Sequence, residues 1–196
     1  MPEDRQQKPL MRQETENYII RTITDDLVTD TMVAWYASEE IMRYMNDPMN
    51  LSAGQLKNIY GKYDGRNNHA LLIIDKKTGD HVGIYRINIT PYHQQANSSI
   101  LIGNKDYWGK NVVLEVRQHF INQLFKSGKI NKIVGTVRGR NFPAHFNYTK
   151  QGFKKEGVRR QQYRNRNGAF EDVVEFGLLK EDWRKTQQTD KEGSRS

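Results

Sequence analysis

Residues 98–116 read SSILIGNKDYWGKNVVLEV: a β-branched apolar run, a glycine-bearing turn and the start of an amphipathic helix. Ile100, Leu101 and Ile102 make a short strand, Gly103-Asn104 breaks it, and Trp108-Gly109-Lys110-Asn111 supplies a second turn. From about Asn111, Val113, Val116, Phe120 and Leu124 recur at helical spacing with Val112, Ile121 and Phe125 beside them, and Ser127-Gly128 is a stop signal. Residues 132–137 then read as a buried strand. Strand, helix and strand in this order form a parallel crossover, the one parallel element the sequence predicts. The turn before the helix also collects unpaired N–H groups and a partial positive charge at one point, which suits a phosphorylated ligand.

The flanking sequence predicts antiparallel strands and helices. Tyr18 to Ile23 is strand-like, and Thr24-Asp25-Asp26 offers capping oxygens for a helix carrying Leu27, Met32, Val33 and Tyr36. Ser38 starts a second short helix ended by Asp47-Pro48, and Ser52 caps a third over 53–62. A strand over 69–74, a turn at Lys77-Thr78-Gly79-Asp80, a strand over 81–90 and a polar loop over 93–97 lead into the opening stretch. After it, a short helix over 141–151 is ended by Gly152, and strands over 153–162 and 170–179 close the chain. The expected organisation is a polar tail over 1–16, one domain over 17–184 and a polar tail over 185–196.

Composition narrows the chemistry. The 196 residues contain no cysteine, which removes disulfides, thiolate metal sites and a cysteine nucleophile. His69, His81, His93, His119 and His145 show no metal-ligand spacing, so no metal is expected. There is no signal-type segment, and the longest apolar run, 70–74, is too short to span a bilayer, so a cytoplasmic protein without membrane contact is expected. The net charge of +8 favours anionic partners. Lys154, Lys155, Arg159, Arg160, Arg164 and Arg166 crowd the last strand pair, with Arg138 and Arg140 before it.

Two blocks and an ending carry a resemblance to a known family. Trp108-Gly109-Lys110-Asn111-Val112-Val113-Leu114-Glu115 is similar to the loop W-G-K-G-hydrophobic-A-T-E, and Asn141, Ala144, Tyr148, Lys150, Gly152, Phe153, Glu156 and Gly157 match a second motif at fixed spacing. The ending from Phe170-Glu171-Asp172 through Leu178-Leu179 to Trp183 completes the likeness. Together they resemble the GCN5-related N-acetyltransferase superfamily, in the branch of ribosomal-protein N-terminal (alanine) acetyltransferases. The resemblance implies an α+β (mixed α/β) fold: a mostly antiparallel central sheet with a splayed parallel strand pair and flanking helices. It implies acetyl-CoA as cosubstrate, with main chain at Ile100, Leu101 and Ile102, the loop Trp108, Gly109, Lys110, Asn111, Val112 and Val113, and Asn141, Ala144 and Tyr148 as its binding residues.

The chain departs from the motif where a glycine is replaced by Asn111 and a small residue by Val113. Asn is the non-glycine residue most able to take a left-handed conformation, whereas a β-branched residue is not. Acetyl transfer from a thioester to an amine needs a neutral amine, a polarised carbonyl and a proton for the departing thiolate. Tyr148 at the motif tyrosine is the expected general acid, backbone N–H near Ile102 the polarising group, and Glu115 the weaker candidate for the base. The acceptor is a primary amine of a protein N-terminus, an amino sugar or a small molecule. The basic strand pair leaves open an anionic or ribosome-associated acceptor, and the protein is expected as a monomer or homodimer. The alternative is a catalytically weak or inactive protein of the same fold that binds RNA or ribosomes, with Val113 as its main support.

Overall fold

In the computed structural model, which describes residues 8–193, eight strands hydrogen-bond in the order β1-β2-β3-β4-β5-β6-β8-β7. They are β1 (Arg12–Glu14), β2 (Tyr18–Thr22), β3 (Asn68–Asp75), β4 (His81–Thr90), β5 (Gln95–Ile102), β6 (Lys132–Arg138), β7 (Lys154–Arg164) and β8 (Phe170–Leu179). The helices are α1 (Asp30–Ala37), α2 (Glu39–Met42), α3 (Ala53–Gly61), α4 (Val112–Lys126), α5 (Phe142–Lys150) and α6 (Lys180–Gly193). β5 and β6 pair in parallel, while β1–β2, β2–β3, β3–β4, β6–β8 and β7–β8 are antiparallel. This is the mixed, mostly antiparallel sheet with one parallel pair and flanking helices that the resemblance implied. Among the described residues no helix is long and apolar enough to cross a membrane.

Contacts cluster in two compact units, to both of which β4 and β5 contribute. The first comprises the chain up to Asn88 together with Ser99–Val112. Its core sets Met32, Trp35 and Tyr36 of α1, Met42 of α2, and Leu56 and Tyr60 of α3 against Ala70, Leu72, Ile84 and Leu101 of the strands. α3 starts where the sequence predicts, with a reciprocal capping box between Ser52 and Gln55. α1 does not: Thr24-Asp25-Asp26 leads into a single 3-10 turn, Val28 is extended and buried, and the helix begins only after Thr29. Burying Val28 in the core interrupts the helix that the capping residues advertise.

The second unit comprises Ile89–Ser98 and the chain from Val113 on. Ile121 and Phe125 of α4, Ile133 and Val137 of β6, Tyr148 of α5 and Val174, Phe176 and Leu178 of β8 form its core. β5 begins at Gln95, inside the stretch expected to be a polar loop. Ala96 and Ser98 point inward and are buried while Asn97 is exposed, an alternation that small and polar side chains conceal in the sequence.

Both expected tails contain structure. Residues 12–14 form an edge strand, held by pairing with β2 and by the Met11 N–H donating to Thr22 Oγ1 at 2.8 Å. Its side chains carry no apolar alternation, so nothing in the sequence marks it. Residues 185–193 continue α6, which Trp183 anchors by donating its indole N–H to Asn122 Oδ1 at 2.8 Å and packing on Phe125. The remaining parts of the tails, 1–7 and 194–196, lie outside the described residues.

Candidate active site

α5 places its tyrosine by local rules. Asn141 caps the helix, accepting from the Ala144 N–H at 3.3 Å, Pro143 occupies the first turn, and Gly152, at φ +82°, closes the end. Tyr148 then faces inward and is 4% exposed. Its ring stacks on Phe176 at 5.2 Å between centroids and meets Phe153 edge-on at 4.9 Å.

The phenol sits where the parallel ladder stops. β5 and β6 pair at Gln95↔Lys132, Ala96↔Ile133 and Asn97↔Val134. The carbonyl of the next β5 residue, Ser98, accepts a hydrogen bond from Tyr148 Oη at 3.2 Å. On β6 the next residue is Gly135, where a Cβ would lie 2.2 Å from the same oxygen. Glycine is therefore required at 135 for the phenol to enter. Ser98 Oγ is buried without a hydrogen-bond partner.

The loop before α4 belongs to the first unit. β4 carries a bulge, Ile73↔Gly83 being followed by Ile74↔His81, and the carbonyl of the bulged Val82 accepts from both Gly103 N–H and Asn104 N–H at 3.0 Å. The side chain of Leu101 is buried in the core and its carbonyl lies against Gly83. By alternation the main-chain groups of Ile100 and Ile102 face away from β4. Trp108 is 43% exposed and donates its indole N–H to the Ile102 carbonyl at 3.0 Å, closing the loop on itself. Lys105 and Lys110 lie over the rings of Trp108 and Tyr107.

Gly109 and Asn111 are both left-handed, at φ +77° and +59°, with Lys110 between them. The expected accommodation at Asn111 is thus present. A Cβ on Gly109 would meet no atom within 4 Å, so the backbone there is open to an approaching group. Left-handed residues running into the unpaired N–H groups of a helix start make an anion-binding concavity, and the loop fits a pyrophosphate. Val113 lies in α4, outside the left-handed residues, so the β-branched side chain imposes no backbone strain. The left-handed strain considered for Val113 is therefore absent.

The remaining candidates divide. Asn141 uses its side-chain oxygen for the cap, which leaves the amide NH2 as what it can offer a ligand. Ala144 packs on the core of the second unit. Glu115 stands in the first turn of α4, where a carboxylate complements the helix dipole. Among the described residues no group of three or more His, Cys, Asp or Glu could hold a metal ion.

Three residues at the phenol escaped the sequence reading. Gly135 lies in the strand predicted over 132–137 and Ser98 just before the one predicted at Ile100, Leu101 and Ile102, and only a paired-strand register would set them opposite the tyrosine. Arg117 of α4 is 2% exposed with its guanidinium 4.1 Å from the Tyr148 ring centroid. An arginine beside an apolar helical stripe reads as solvated, and no local signal marks this one as buried.

Comparison with known proteins agrees with this geometry. The family model of the acetyltransferase (GNAT) domain matches residues 17–154. An uncharacterized N-acetyltransferase p20 of Bacillus licheniformis is 26% identical over 162 residues, 79% of this chain and 88% of its own length. The spermidine N-acetyltransferase of Vibrio cholerae, solved with CoA and spermine, superposes with a TM-score of 0.75 at 20% identity, covering 85% of this chain and 97% of its own. A ribosomal-protein-S5-alanine acetyltransferase from Vibrio fischeri gives a TM-score of 0.75 at 18% identity over 88% and 98% of the two chains. With its motif tyrosine in an interrupted parallel ladder and a left-handed loop opening α4, the chain belongs to the GNAT family of acetyl-CoA-dependent N-acetyltransferases.

Proposed function

We propose that the protein acetylates a primary amine by direct attack on acetyl-CoA, with Tyr148 as proton donor to the departing thiolate. The placement of the Tyr148 phenol between Ser98 and Gly135 carries the reading. The amine nitrogen forms the new N–C bond, the C–S bond breaks, the amine proton passes to water, and the phenol proton goes to sulfur. No enzyme-bound acyl group is needed.

In this reading the loop Trp108, Gly109, Lys110, Asn111, Val112 and Val113 receives the pyrophosphate through backbone N–H groups. Ile100 and Ile102 present main chain to the pantetheine arm, with the Ile102 N–H polarising the thioester carbonyl because its carbonyl is engaged by Trp108. Leu101 contributes packing. Asn141 offers its amide to the arm, and Ala144, a small residue at the start of α5, leaves room for it. Glu115 is the remaining candidate for the base, and a water chain serves equally well.

The acceptor is an amine on a protein N-terminus, an amino sugar or a small molecule. The spermidine N-acetyltransferase solved with spermine and the ribosomal-protein-S5-alanine acetyltransferase, both of similar fold, make an alanyl peptide and spermine the first probes. Free-thiol release from acetyl-CoA across a primary-amine library, including these two, tests the reading. Saturable release with at least one amine is expected; release no faster than with buffer alone across the library overturns it.

A further inference from the structure

Arg117 is a buried cation for which the reaction above has given no use. Its Nη1 donates to Gln151 Oε1 at 3.2 Å, and its Nε is buried without a hydrogen-bond partner. Its hydrogen-bond partner is a neutral amide, and no ion pair joins it to a carboxylate among the described residues. Desolvating a guanidinium without a counter-charge is costly, and such an arrangement persists where a negative charge forms or binds beside it.

The group beside it is the Tyr148 ring. The guanidinium lies over the ring at 4.1 Å from the centroid, and Phe176 stacks on the same ring within 12° of parallel. Gln151, which holds the guanidinium, is itself fixed by donating to the Leu114 carbonyl at 3.2 Å. Arg117, Gln151 and Tyr148 are thus one assembly in the second unit, with the cation already in place before any charge develops.

We propose that Arg117 is a positioning residue for acetyl transfer, held over Tyr148 to stabilise the phenolate that forms when the phenol proton moves to the CoA thiolate. The inference rests on Tyr148 being the proton donor. The attraction of the cation to a neutral ring is modest, but it rises once the ring carries a full negative charge in a water-poor site. A preorganised cation of this kind acts on the step that generates the charge and not on cofactor binding.

The test is a double-mutant cycle read by thiol release, with the faster of spermine and an alanyl peptide as acceptor. Arg117→Met, which keeps the side-chain length and removes the charge, is expected to lower kcat about tenfold with KM for acetyl-CoA within about twofold. Arg117→Lys, which keeps a cation, is expected to recover kcat to within about threefold of the parent. In a Tyr148→Phe background, where no phenolate forms, Arg117→Met is expected to change kcat less than about twofold. An equal loss in both backgrounds, a loss carried by KM, or an Arg117→Lys variant as slow as Arg117→Met overturns the role of Arg117 and leaves Tyr148 standing. An unimpaired kcat in Tyr148→Phe alone overturns the proton donor and this inference with it. If Arg117→Met does not fold, Arg117→Gln takes its place under the same criteria.

Discussion

The two units each bury tyrosine hydroxyls, to opposite ends. In the first, Tyr36 and Tyr60 are each 2% exposed and their hydroxyls meet at 2.6 Å, one donating to the other. Burial pushes both phenols above the usual tyrosine range, which favours their protonated forms. The nearby Arg86 is no free cation, since it forms a bidentate pair with Asp47 at 2.6 and 2.8 Å. In the second unit Tyr148 donates to a main-chain carbonyl, and the cation over its ring has no carboxylate partner among the described residues. A buried tyrosine is therefore structural where its hydroxyl and its charged neighbours are mutually satisfied. Tyr148, at the end of the parallel ladder and beneath a cation without a carboxylate partner among the described residues, lacks that closure, and the proposed proton transfer draws on this difference.

The largest effect expected on this contrast is at Tyr148. Tyr148→Phe should lower kcat about 100-fold or more, the scale of a positioned general acid. Its thermal stability should change little, because the single hydrogen bond lost is worth about 1 kcal/mol. Steady-state rates together with a melting curve separate the two; a large drop in Tm with proportionate loss of activity would make Tyr148 as structural as the first unit's pair.

Asp47→Ala probes the other side. It leaves the mostly buried Arg86 guanidinium without its partner, for an expected loss of about 3–5 kcal/mol, read as a lowered urea midpoint. A loss below about 1 kcal/mol would place this ion pair with surface pairs and remove the claim that the charges of the first unit are internally balanced.

Gly135→Ala should be smaller and should fall on both stability and rate. The added Cβ would stand 2.2 to 2.5 Å from the hydroxyl oxygen and two ring carbons of Tyr148, whose ring is packed by Phe176 and Arg117. The expected cost is about 1–3 kcal/mol of overpacking, with kcat down about tenfold as the phenol leaves its position. A variant with parental kcat would show that the phenol need not occupy the ladder gap.

What the sequence showed and what it concealed follow from where the determinants lie. The α5 cap, the α3 capping box and the left-handed Asn111 are short-range features, each legible because a side chain answers a backbone requirement within a few residues. The start of β5 was hidden because Ala96 and Ser98 alternate inward without being apolar. Arg117 was hidden because its burial depends on Tyr148 and Gln151, more than thirty positions away, arriving over it. The loop and its helix were visible, and so was the tyrosine; the charge that distinguishes this tyrosine from the pair in the first unit was not.

The smallest expected effect is the most specific. Tyr60→Phe removes one hydroxyl of the first unit's pair and leaves the Tyr36 hydroxyl buried without its partner, for about 1–2 kcal/mol with kcat unchanged. Adding Tyr36→Phe removes the orphaned group as well. Replacing both partners by apolar rings of the same shape is close to neutral, so the double variant should be more stable than Tyr60→Phe alone. Urea unfolding of the four proteins measures this coupling. Additive losses would mean that each hydroxyl is satisfied independently, and the mutual closure that sets this pair apart from Tyr148 would have to be given up.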